Sequence, residues 1–237
     1  MLYTVETEVF DMFPAFRRGV LVATGIDNRE ASPEVARLLA DAVATVPADQ
    51  SDAERARVEV WDEAYRKFGA DPKKVTPSIS FLLKQIRRGK PPRSINTVVD
   101  LFNVVSLSWL VPCGGDDLAA LKGDDLRLGF ARGDETFSPL FKLETVETPD
   151  AGEVIYYTPQ TRRVLCRRWT WRNSDFSKLT TSTRAVAINV DMMVPPFFEA
   201  DVTAALSELA EMIKFFCGGQ VITHLLTPMS PSFHIAL

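Results

Sequence analysis

The chain has 237 residues, 46% of them hydrophobic and 24% charged, with a net charge of −4 and a pI near 5.3. That ordinary globular composition excludes a disordered or fibrous chain, and at this length roughly 70% of the unfolded surface can be buried in one large domain or two small ones without covalent staples. The acidic balance excludes a protein that simply coats nucleic acid, so any RNA contact has to use a local patch.

At the start, Met1 to Glu6 offers neither the charged n-region nor the apolar run of a secretory leader. No 18-residue apolar stretch follows, which predicts no membrane span. Apolar residues between 5 and 16 are interrupted by Pro14, and residues 20–25 read as a strand bounded by glycines. Ser32 and Pro33 form a helix start, an N-cap followed by proline at the first helical position, and the helix runs to Pro47. Asp52 opens a charged helix whose stripe is Val58, Trp61, Tyr65 and Phe68. Thr76-Pro77-Ser78 begins another, with Ile79, Leu82, Leu83 and Ile86 inward. Its other face and exit carry Lys84, Arg87, Arg88, Lys90 and Arg93. Five cations so close together suit a phosphate backbone, or else a solvated helix end whose charges favour the dipole.

Ile95, Val98, Val99, Phe102, Val105 and Trp109 recur at spacings of three and four, the period of a helix with one buried face. Asn96, Asp100 and Asn103 share that period and predict a second, polar stripe. Such a stripe lines a pocket, or else caps the helix through structural hydrogen bonds. The string 112–117 then predicts a sharp turn through Gly114 and Gly115 at positive φ. Residues 118–121 read as a helical turn and 126–131 as a strand. Residues 153–157 and 164–166 read as a strand pair, mostly antiparallel given the short connections. Between 167 and 173, arginines alternate with Trp169 and Trp171. The pattern suits base stacking with phosphate contacts, or a strand with tryptophans inside and arginines outside. A hydroxyl-rich run, 180–184, precedes a strand at 185–191. Pro195-Pro196 opens a last helix with Phe198, Val202, Leu206, Leu209, Ile213 and Phe216 inward, and residues 221–226 close as a strand. No repeat or linker divides the chain. Cys113, Cys166 and Cys217 lie far apart without a CxxC pair, as in a reduced, cytoplasmic protein. His224 and His234 have no cysteine at ligand spacing, so no metal site is expected. GxSxG, Walker A and GxGxxG patterns are absent, and Cys113 reads as a small buried residue rather than a nucleophile.

The string Arg93-Ser94-Ile95-Asn96, then Val98-Val99-Asp100, Asn103, Pro112 and a Gly/Asp-rich stretch, resembles the B3/B4 domain of the phenylalanyl-tRNA synthetase beta subunit, a domain that also occurs freestanding. The resemblance covers about 61–190 and is strongest over 93–123. It implies an α+β fold: a mixed, largely antiparallel sheet, with a barrel-like form as one option, and flanking helices in a single domain of residues 1–237. It implies a tRNA or aminoacyl-tRNA partner, with a free amino acid as a smaller ligand, no cofactor and no membrane. The activity implied is hydrolysis of a mischarged aminoacyl ester in trans. The alternative is a non-catalytic tRNA- or amino-acid-binding module. On this basis Arg93, Asn96, Asn103, Gly114 and Gly115 would hold the substrate, and Lys84, Arg87, Arg88, Lys90, Arg168 and Arg172 the tRNA.

Three departures from the family pattern stand out. Pro112-Cys113-Gly114 replaces a usual Pro-Met-His, so Gly114 occupies the histidine position. Asn189 stands where a glutamate usually follows Thr183-x-x-Val186, and the segment around Trp169 and Trp171 replaces a Gly-rich loop. An aminoacyl ester is already activated, so holding it and a water in attack geometry supplies much of the rate. Backbone amides at Gly114 and Gly115 are the expected oxyanion donors, and Asn189, Thr183 or Asp116 the groups that orient the water.

Overall fold

In the computed structural model, which describes residues 1–236, the apolar runs of the sequence form two sheets and a layer of helices. The first sheet contains β1 (Leu2–Val5), β4 (Leu126–Phe130), β5 (Val154–Thr158), β6 (Arg163–Arg167), β7 (Arg172–Asn173) and β10 (Ser232–His234), in the order β10-β1-β4-β5-β6-β7. The second contains β2 (Phe16–Thr24), β3 (Cys113–Asp117), β8 (Ala185–Met193) and β9 (Gln220–Leu226), in the order β3-β8-β2-β9. Only β1 and β4 pair in parallel; the other strand pairs are antiparallel. The mixed, largely antiparallel α+β layout therefore stands, but both sheets end in open edges and the barrel-like option is corrected.

β2 and β8 are buried on both faces, which is why they read as nearly continuous apolar runs. Val20 and Val22 face the first sheet, where they join Tyr3, Val5, Leu128 and Trp169. Leu21 and Ala23 face the helical side with Val186, Ile188 and Val190. That side is covered by α2 (Pro33–Ala44), α5 (Thr97–Trp109) and α6 (Glu199–Cys217). The short α1 (Thr7–Met12), α3 (Asp52–Lys67) and α4 (Ser78–Arg87) pack against the other core. Their starts follow from capping: Ser32 Oγ accepts from Val35 N at 3.3 Å with Pro33 in the first turn, and Ser51 Oγ accepts from Glu54 N at 3.1 Å.

Four local expectations are corrected. Gly114 and Gly115 do not turn; they lie inside β3, paired with Asn189 and Ile188. Residues 167–173 are not one strand. β6 ends at Arg167, and Arg168 and Trp169, at φ 47° and 65°, reverse the chain into β7. The last helix starts at Glu199, after the prolines, and Phe198 is exposed rather than in the core. Ile95 precedes α5 and is 57% exposed, so it does not belong to the buried stripe. Residues 2–5 form a strand too short to be read from period alone. No helix among the described residues is long and apolar enough to cross a membrane.

Helix α6 reaches β2 over Gly19, where an added Cβ would stand 2.7 Å from Leu206 Cδ1 and 2.8 Å from its Cγ. Gly19→Ala should therefore cost about 1–3 kcal/mol through overpacking, measured as a lower urea midpoint at unchanged slope. Leu206→Ala in the same chain should return part of that loss.

Candidate functional site

The floor of the site comes from the register of β2 on β8, which sets Arg18 directly opposite Asp191. Their ion pair is bidentate, Nε to Oδ1 and Nη2 to Oδ2, both 2.7 Å, and both residues are buried. Trp169 Nε1 donates to Asp191 Oδ2 at 3.1 Å. Arg18 Nη1 donates to the Tyr3 hydroxyl at 3.3 Å, and that hydroxyl donates to Asn189 Oδ1. The guanidinium lies over the rings of Tyr156 and Phe16, at 5.3 and 5.7 Å. Burial alone would lower the Arg18 pKa, but Asp191 and the phenols more than offset it and hold it above the ordinary arginine range. Burial pushes the Tyr3 phenol up to about 12. The Tyr156 hydroxyl, also buried, finds no hydrogen-bond partner.

Above this floor lies a recess of about 100 Å³, whose lining includes Arg18, Gly114, Asp116, Tyr156, Trp169 and Asn189. It shares Ser78, Cys113, Gly115, Asp116, Trp171 and Asn173 with a wider, mainly apolar cleft of about 370 Å³, so the two form one continuous hollow. Asp116 stands at the junction. Ser177 Oγ donates to its Oδ1. Burial pushes its carboxyl up to about 7; Ser177 and Arg18 pull it down by less, and Asp117 adds to the rise. An added Cβ on Gly114 would meet nothing within 4 Å, leaving the recess open on that side.

β3 is the edge of its sheet, so its amides alternate between β8 and the cleft. Asp191 N donates to Pro112 O at 3.1 Å, which turns the even-numbered residues of β3 toward β8. Asp117 N donates away from the sheet, to Ser177 O at 2.9 Å. Gly115 N–H therefore faces away from β8, without a partner among the described residues, whereas Gly114 N–H is turned to β8. Of the two glycine amides expected as oxyanion donors, one is free.

The residues singled out from the sequence separate as follows. Asn189 lines the recess and Asn103 the wider cleft, while Gly115 and Asp116 line both. Arg93 is exposed and lines neither. Asn96 is a buried N-cap: its Oδ1 accepts from Val99 N at 3.1 Å and Asn28 Nδ2 at 3.2 Å, and its Nδ2 donates to Leu179 O at 3.2 Å. Asp100 accepts from Ile95 N at 3.0 Å and from Ser94 Oγ. The polar stripe of α5 thus divides into two structural members and one that faces the hollow. Thr183 Oγ1 donates to Asp117 Oδ2 at 2.6 Å and accepts from Thr180 N at 3.0 Å, away from the lining. Arg168 pairs with Asp150 at 3.1 Å, Arg172 with Glu147 at 2.8 Å, and Arg87 with Glu54. Lys84, Arg88, Lys90 and Arg93 are exposed and have no ion pair among the described residues. The Cys113 thiol is pushed well above its ordinary range by burial, with Asp191 adding to the rise, which opposes a thiolate there. No group of His, Cys, Asp and Glu among the described residues is arranged to hold a metal ion. Arg18, Asp191 and Tyr156 were missed from the sequence. Their only signal was a single charge inside each of two apolar strands.

The family described as B3/4 domain matches residues 60–218. Among solved structures, the chain is similar to an N-terminal fragment of the phenylalanyl-tRNA synthetase beta-subunit from Pyrococcus horikoshii, with 14% identity and a TM-score of 0.44. That similarity covers 92% of this chain and 49% of the other, so the chain spans about half the length of that fragment. Comparison with curated proteins gives no match.

The fold keeps Asp116 protonated up to about 7, whereas an unfolded chain releases that proton near 3.8. Between those values the folded state binds more proton, so stability should fall as pH rises through the window, by at most about 1.4 kcal/mol per pH unit. Urea midpoints should drop less steeply with pH in Asp116→Asn than in the parent chain. Removing one partner of the buried pair is a separate case: Arg18→Ala should lower stability by about 3–5 kcal/mol, measured by the same unfolding titration.

Proposed function

Since the chain belongs to the B3/4 domain family, we propose that it binds the aminoacylated 3′ end of a tRNA and hydrolyses a mischarged aminoacyl ester in trans. The observation that carries this reading is the continuity of a polar recess with an apolar cleft around one carboxyl, Asp116, whose charge changes near neutral pH. A group titrating there can accept a proton and return it, as general acid–base work requires. In this reading the aminoacyl group enters the recess beside Asn189, whose Oδ1 is engaged by Tyr3 and whose amide nitrogen is left to donate. Gly115 N–H donates to the oxyanion as a water attacks the ester carbon. Ionised Asp116 takes the water's proton and delivers it to the ribose oxygen as the ester C–O bond breaks, giving free amino acid and uncharged tRNA. The three unpaired cysteines are consistent with a cytoplasmic setting for this reaction.

A binding module without turnover is the second reading. It is favoured by the ion pairs that already engage Arg87, Arg168 and Arg172, and by the absence of a side chain at Gly114.

Deacylation of a panel of mischarged tRNAs separates the two. Turnover above the spontaneous rate is expected, rising with pH around a midpoint of about 7 and falling about 10²- to 10⁴-fold in Asp116→Asn. Arg93→Ala, which is off the lining, should raise KM with little change in kcat. Saturable binding with no turnover anywhere in the panel would replace hydrolysis by the binding module.

A further inference from the structure

We infer that the mouth of the wide cleft holds the terminal nucleotide of a single-stranded RNA, its base between Phe81 and Phe141 and its phosphates along residues 84–93. This inference rests on the function proposed above and assigns that function's RNA half to particular residues.

Phe81, Ile95 and Phe141 are 53%, 57% and 79% exposed. They come from α4, from the α4–α5 connection and from the segment between β4 and β5, yet all three line the same cleft. One exposed apolar side chain is ordinary; three converging on one opening mark a surface that a ligand covers. Phe141 is held in place rather than loose. Its amide donates to Asp175 Oδ1 at 2.9 Å, and Lys178, paired with Asp175 at 2.8 Å, lies 5.9 Å from its ring.

Charge decides what kind of apolar face fits. Residues 72–99 carry seven of the chain's 27 basic residues and none of its 31 acidic ones, in a protein of net charge −4. Phe81 and Ile95 bracket Lys84, Arg88, Lys90 and Arg93, the four cations without ion pairs among the described residues. An acyl chain or an apolar peptide would use the collar but leave those cations idle. A nucleotide uses both, because a base stacks on an aromatic face while its phosphates meet the cations. The polar recess behind is thereby left for the group esterified to the ribose.

The probe is a 5′-fluorescein-labelled single-stranded RNA of about ten nucleotides ending in CCA, titrated by fluorescence anisotropy. Phe81→Ala and Phe141→Ala should each weaken binding about five- to a hundredfold. Phe215→Ala, equally exposed but not among the cleft-lining residues, should change nothing. A Lys84→Gln, Arg88→Gln, Lys90→Gln triple variant should lower the salt slope by about 0.7 for each phosphate that is no longer neutralised. Unchanged affinity in both phenylalanine variants, with melting curves like the parent, overturns the inference. So does equal affinity for the same RNA with its 3′ end paired in a blunt hairpin, or AMP alone accounting for all of the binding. Loss of RNA binding in the phenylalanine variants, retained in Asp116→Asn, supports it whether or not any ester is turned over. Turnover of a mischarged tRNA with collar variants that bind RNA normally would leave the hydrolase reading standing and remove this one.

Discussion

The ion pair between Arg18 and Asp191 is the constraint around which the interior is arranged. Two charges taken out of water cost several kcal/mol each unless they meet in good geometry with their remaining hydrogen-bonding capacity satisfied. Here both guanidinium contacts to the carboxylate are short, and Trp169 and Tyr3 complete the set. The pair therefore enforces the register of β2 on β8, because a slip of one residue would send each charge to the opposite face. It also draws Trp169 inward. The indole packs edge-on against Phe16, Phe13 and Trp61, at centroid distances of 4.8, 4.9 and 5.4 Å, while its N–H reaches Asp191. The left-handed conformation of Arg168 and Trp169 is the local backbone form that goes with this placement.

The same pair shapes the electrostatics of the hollow. Arg18 is engaged by Asp191 in a two-point contact, so its pull on the nearby Asp116 is smaller than the effect of that residue's burial. One carboxyl in the interior is thus ionised and fixed, and another, close by, sits between its two states. Environment separates two chemically identical groups, which is how a single pocket can contain both an anchor and a proton acceptor.

Local chemistry in the sequence disclosed the helices well. Ser32-Pro33, Ser51-Asp52 and Thr76-Pro77 each marked a start within a residue or two, because caps and first-turn prolines act over a few neighbours. Long-range pairing was less legible. Gly114 and Gly115 looked like turn formers, but β8 supplies a ladder that overrides their local freedom. The Arg167–Asn173 stretch has a strand's period yet makes a turn, since the core draws in Trp169 and nearby carboxylates hold the arginines. Asn96 and Asp100 are alike in residue type to Asn103, and only the position of the loop preceding α5 decides that they bond locally while Asn103 does not. Arg18 and Asp191 are 173 positions apart, and nothing in either neighbourhood names the other.

Strand order has a bearing on biosynthesis. β2 lies between β8 and β9, and β1 between β10 and β4, so each sheet joins early and late parts of the polypeptide. A nascent chain leaving the ribosome has made β2 long before either of its neighbours exists. Apolar side chains such as Phe16, Val20, Leu21 and Val22 must wait in solution for them. Pairings of such separation close slowly and leave sticky intermediates exposed. Chaperone dependence during translation, more than fragility of the finished molecule, is the burden this topology places on the cell.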